Sequence, residues 1–126
     1  MQPQIVSGNA QIEGKSGSGW FLGHFVTPQD DPRQTAVLEV KWGIHQAGDR
    51  RPQWETNVEA TTLTILISGR FHLQLPEQEL LLSQEGDYVL WPPGTAHSWW
   101  AEETSTVLTV RWPSKPEDSV PQQENR

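Results

Sequence analysis

Between Trp20 and Trp112 the chain is cut into short runs rich in Val, Ile, Thr, Leu and Trp, each closed by a cluster of Gly, Pro, Asp or Asn. Punctuation at that spacing leaves no room for amphipathic helices and confines the chain to an all-β fold. The strands expected are Trp20 to Val26, Thr35 to His45, Thr61 to Ser68, Arg70 to Leu75, Glu79 to Leu82, Tyr88 to Trp91, Ala96 to Ala101 and Thr104 to Trp112. Roughly eight short strands on one chain make a sandwich or a barrel. Gly69 and Gly86 sit between such runs, where glycine supplies the positive φ of a tight reversal.

One run says more than the others. In Thr62-Leu63-Thr64-Ile65-Leu66-Ile67-Ser68, strand alternation puts Thr62, Thr64, Leu66 and Ser68 on one face and Leu63, Ile65 and Ile67 on the other. A mixed polar face opposite a fully apolar one fits a barrel with a polar interior whose outer surface packs on a second layer or a second subunit. A homodimer is therefore expected. On the run before it, Glu39 and Lys41 alternate with Leu38, Val40 and Trp42, which places the two charged residues on the solvent side.

With 126 residues the chain has room for one core. The segment 1–19 is expected to be a Gly/Ser-rich extension, 20–112 the barrel and 113–126 a flexible, proline-broken tail. A net charge of -7 argues against nucleic acid as a partner. No run approaches a membrane span, and the absence of cysteine excludes disulfides and thiolate metal sites; a cytoplasmic protein is the expectation.

The most specific string is Gly86-Asp87-Tyr88-Val89-Leu90-Trp91-Pro92-Pro93-Gly94-Thr95-Ala96-His97-Ser98-Trp99. It reads as a glycine turn, a short strand, a Pro-Pro-Gly corner and a new strand opening on a histidine. It resembles the second cupin motif: Gly86, Pro92, Gly94 and His97 match in register, and Ala101 stands where the motif has Asn. The first motif would close on Gly69. The strings Val40-Lys41-Trp42-Gly43 and Thr109-Val110-Arg111-Trp112 are similar to those of small bacterial single-domain cupins. The resemblance implies a cupin-type double-stranded β-helix, or jelly-roll barrel, often dimeric, with a pocket that commonly holds a divalent metal through His-x-His, a Glu and the later His.

The metal ligands do not carry over. The Glu position is Thr62, and the His-x-His pair falls on Thr56 and Val58 or on Glu55 and Asn57, so only His97 remains as an imidazole. One imidazole among hydroxyls makes a poor shell for a transition metal. No cofactor is expected; a weaker divalent metal site built from His97 and Glu55, with His45 near in sequence, is the alternative.

Tryptophan supplies rigid apolar area with one N–H donor, and seven of them in a chain this size suit a lined pocket. The residues expected to meet a small organic molecule are Trp54, Thr62, Thr64, His97, Trp99 and Arg111, with Asp49-Arg50-Arg51 as a less favoured clamp at the mouth. His24 and His72 are given no role. The sequence thus points to a small-molecule-binding barrel. Two alternatives stand beside it: an enzyme using His97 as metal ligand or as acid/base, namely an oxygenase or isomerase, and a filled structural or regulatory barrel with no ligand.

Overall fold

A computed structural model describes residues 4–122. Residues 1–3 and 123–126, and with them the ends of the two expected terminal segments, lie outside the described residues. The elements are a short helix α1 (Ala10–Glu13), then β1 (Trp20–Leu22), β2 (Glu39–His45), β3 (Glu55–Asn57), β4 (Thr61–Ser68), β5 (Phe71–Leu75), β6 (Gln78–Leu82), β7 (Tyr88–Trp91), β8 (Ala96–Ala101), β9 (Ser105–Trp112) and β10 (Ser119–Pro121). They form two five-stranded antiparallel sheets in the orders β1-β2-β9-β4-β7 and β10-β3-β8-β5-β6.

The alternation expected of β4 is observed. Thr62, Thr64 and Leu66 are buried and Leu63, Ile65 and Ile67 lie half-buried outside. Ser68 leaves the pattern because the β4–β9 register shifts between Leu66 and Ser68, and it is exposed. Gly69 then reverses the chain at φ +105, and a Cβ there would stand 2.3 Å from the Ser105 hydroxyl oxygen. No other residue fits that corner. Inward-facing Leu66, Phe71, Leu73, Leu75, Leu82, Val89 and Val107 close one end of the interior as a continuous apolar core, with Trp99 packed against it.

Three expectations are corrected. Glu39 and Lys41 do not face solvent. β2 pairs with β9 so that Glu39 lies beside Arg111 and Lys41 beside Thr109, on the interior face, while Val40 and Trp42 take the outer one. The reason is the one seen in β4: the sheet's outer face is its apolar face.

Residues 113–122 are not a frayed tail. Ser114 and Asp118 are buried, and Ser119–Pro121 pairs with β3. The Asp118 carboxylate accepts the backbone N–H of Glu59 at 2.7 Å, that of Ala60 at 3.1 Å and the Asn57 side-chain amide at 3.2 Å. Polar contacts rather than apolar burial hold this segment, so its lack of hydrophobic residues was a poor guide.

The N-terminal segment is likewise built. The Asn9 side chain caps α1 by accepting the Ile12 N–H, and the Glu13 carboxylate returns to the Asn9 N–H at 2.9 Å. The carbonyl of Gly19 then accepts the Trp42 N–H at 2.9 Å, which ties this segment to β2.

Candidate binding site

At the end of the barrel opposite the apolar core, strand registers bring polar side chains into rows. Thr62 on β4 lies between Trp91 on β7 and Arg111 on β9, and Arg111 lies beside Glu39 on β2. One step along, Lys41, Thr109 and Thr64 form the next row, and the Thr64 and Thr109 hydroxyls meet at 3.3 Å. On the facing sheet Glu55 of β3 is directly opposite His97 of β8.

These rows enclose an inner cavity of about 40 Å³, with Lys41, Arg51, Thr62, Trp91, His97 and Arg111 in its wall and His45 and Trp99 at its apolar side. His45 sits 4.1 Å from Trp99 and 5.3 Å from Phe71, ring to ring, which joins the site to the core. A wider cleft of about 670 Å³ opens outside, lined by Phe21, Phe25 and Val26. Trp20 and Arg111 line both spaces and therefore form the wall they share. The Arg111 guanidinium lies 4.7 Å from the centre of the Trp20 ring and the Lys41 ammonium 5.8 Å from it.

His97 is 3% exposed. Its Nδ1 is 3.0 Å from the Thr95 carbonyl oxygen, which can only accept, so Nδ1 carries the proton and Nε2 presents a lone pair. Burial holds the imidazole pKa down at about 4, assisted by the Arg51 and Arg111 charges and opposed by the Thr95 hydrogen bond. At neutral pH His97 is therefore a hydrogen-bond acceptor. His45 is likewise held at about 4, by burial first and then by Lys41.

Arg51 is fixed from several sides. It donates from Nη1 to Glu55 at 2.6 Å and from Nη2 to the His97 carbonyl at 3.1 Å. Its own carbonyl accepts from the Ser98 hydroxyl. Arg111 lies 3.6 Å from the Glu39 carboxylate, which also accepts from Ser114 at 2.7 Å. With both carboxylates engaged, Lys41 forms no ion pair among the described residues, and burial followed by the Arg111 and Arg51 charges lowers its pKa to about 8. Five buried polar atoms at this end lack a hydrogen-bond partner: Arg51 Nε, Arg111 Nε, Thr62 Oγ1, Trp91 Nε1 and His97 Nε2. A group of that size is costly in a folded interior, because each atom has given up water without gaining a partner from the chain.

Of the residues expected from the sequence, Thr62, Thr64, His97, Trp99 and Arg111 meet at this cavity. Trp54 does not line it. It precedes Glu55, the start of β3, by one position, and its carbonyl accepts the Gln122 N–H. Glu55 reaches the site only through Arg51. Trp20, Lys41 and Trp91 were missed and Arg51 was undervalued. The usable signal was in the sequence: applying the polar-inside reading of β4 to β2 would have turned Lys41 inward.

Comparisons in shape with solved structures point one way. KdgF from Halomonas sp. is 23% identical, with 64% of this chain and 74% of that one aligned at a TM-score of 0.57. Pac13 from Streptomyces, described as a nucleoside dehydratase, is 17% identical over 70% of each chain at 0.60. Salicylate 1,2-dioxygenase from Pseudoaminobacter salicylatoxidans is 17% identical over 69% of this chain and 24% of that one, at 0.59. The protein has the cupin fold. No protein-family model matches the sequence, and no curated protein does. The cupin barrel sets the inner cavity at the barrel end where the second motif delivers His97, as its Pro92-Pro93-Gly94 corner leads into β8.

Proposed function

We propose that this cupin binds a small organic molecule at the barrel end around His97, without a tightly held metal. The observation that carries the reading is the group of unpartnered buried polar atoms facing one cavity between tryptophans. Solved neighbours with this fold include a nucleoside dehydratase studied with uridine and a salicylate dioxygenase, so small organic molecules are familiar occupants of such barrels.

The donor set does not suit a divalent cation. Thr62 stands in the carboxylate position, Glu55 is held by Arg51, and three cationic side chains line the same cavity as His97. No cluster of three or more His, Asp or Glu side chains fit to hold a metal occurs among the described residues. The enzymatic alternative, with His97 as acid/base, is weakened by the same surroundings: an imidazole held near 4 is a poor proton carrier at neutral pH.

Intrinsic tryptophan fluorescence titrated with a metabolite library tests the reading. A quenching ligand whose effect disappears in Trp99→Ala supports it, and silence across acids, sugars and aromatics returns the barrel to a structural role. Elemental analysis of protein purified without chelator gives the second check, since near-stoichiometric metal that is lost in His97→Ala overturns the metal-free part.

The outer sheet face suits a homodimer: Leu63 lies between Leu90 and Val110, and Ile65 between Tyr88 and Leu108, with Tyr88 67% and Leu90 53% exposed. Sedimentation should give a mass near twice 14.3 kDa. No helix among the described residues is long and apolar enough to cross a membrane. The proposed setting is the cytoplasm, with neither membrane nor nucleic acid as partner.

A further inference from the structure

The inner cavity is basic in an acidic protein. Three of the nine Lys and Arg residues line it, and no Asp or Glu does among the described residues, although the chain carries 16 acids against those nine bases. Chance placement on a surface would not gather them here, and folding gains nothing from burying Lys41 without a counter-charge. The unpartnered atoms have a pattern as well. Arg51 Nε, Arg111 Nε and Trp91 Nε1 are donors, Thr62 Oγ1 offers a hydroxyl, and His97 Nε2 alone is an obligate acceptor.

Size narrows the anion. The inner cavity, about 40 Å³ against about 670 Å³ for the outer cleft, admits only one small end of a ligand, and a flat carboxylate fits that end more readily than a bulkier tetrahedral phosphate group. The rest of a ligand must then continue past Trp20 into the 670 Å³ cleft, where Phe21, Phe25 and Val26 offer apolar walls.

On the footing of the small-molecule reading above, we propose that the ligand is an organic acid, its carboxylate held by Lys41, Arg51 and Arg111 in the inner cavity and its apolar or planar body in the outer cleft. A hydroxyl close to the carboxylate, as in lactate or salicylate, donates to His97 Nε2. The unpartnered Nε–H groups of Arg51 and Arg111 each have one hydrogen bond to give to an anion oxygen, and Lys41, which forms no ion pair among the described residues, gains a counter-charge.

The test compares organic acids with their own primary amides: benzoate with benzamide, lactate with lactamide, salicylate with salicylamide, and phenyl phosphate as the larger anion. Binding is read by calorimetry at neutral pH on the full chain. At least one acid should bind about tenfold or more tighter than its amide. Salicylate should exceed benzoate, and that preference should shrink in His97→Phe. Lys41→Met should lose about tenfold or more in acid affinity, narrow the gap between acid and amide and melt higher than the parent; Arg111→Lys, which keeps the charge, tells a local loss from misfolding. Amides binding as well as acids, or an acid affinity untouched in Lys41→Met, would overturn the carboxylate assignment while leaving a small-molecule site. Phenyl phosphate binding tighter than every acid overturns it in favour of phosphate. If neither acids, amides nor phenyl phosphate bind, the carboxylate assignment fails together with the binding reading beneath it.

Discussion

The two ends of the barrel interior are built from the same strands with the same alternation and do opposite things. At one end Leu66 on β4 faces Val107 on β9, and Phe71 and Leu73 join them in the apolar core that borders the inner cavity. Two to four residues away along the same strand, Thr62 and Thr64 face Arg111 and Thr109 across the same ladder. The apolar end has its contacts satisfied within the chain, whereas the polar end keeps unpartnered donors and an uncompensated Lys41. The packed apolar contacts are thus concentrated at one end, and the polar groups of the other are left incompletely paired.

Truncation of the apolar end should cost most. Leu66→Ala, at a position only 1% exposed, should lose about 2–5 kcal/mol in chemical denaturation. A loss below that of a surface substitution would break the contrast. Next comes the C-terminal clasp: Asp118→Ala strips three donors of their acceptor at once and should cost about 1–3 kcal/mol, with Ser119–Pro121 exchanging amide hydrogens faster. Unchanged exchange there would show that the clasp holds nothing.

Two pH effects probe the polar end. His45 and His97 are held at about 4 in the fold against an ordinary 6.5. Between those values the unfolded chain binds more protons, so stability should fall as pH drops from 6.5 toward 4. Replacing either imidazole with glutamine should flatten that slope, and an equal slope in both variants would remove the buried histidines as its cause. The smallest effect is alkaline. Lys41, lowered from 10.5 to about 8, makes the unfolded chain the better proton binder in that interval, so its contribution adds stability as pH rises. Lys41→Met should lack that rise.

Strand alternation and turn chemistry were legible because they are local. The period of two along Thr62–Leu66 assigned inside and outside without any partner strand, and Gly69 and Gly86 announced reversals that the fold realises at positive φ. Hence Thr62, Thr64, His97 and Trp99 could be named as neighbours of one cavity. Local reading failed where both faces of a strand carry something plausible: on β2 the apolar Val40 and Trp42 looked like the core face's complement, and Lys41 was sent to solvent.

Residue order therefore carries the all-β class, the faces of β4 and the delivery of His97 by the Pro-Pro-Gly corner. The gathering of Lys41, Arg51 and Arg111 at one end belongs to the folded molecule, because it depends on register between strands far apart in the chain, β2 against β9 and β9 against β4. The return of Ser119–Pro121 to β3 has the same origin. Pairing energies of that kind are sums over distant backbone partners and buried polar contacts, which no window of neighbouring residues contains.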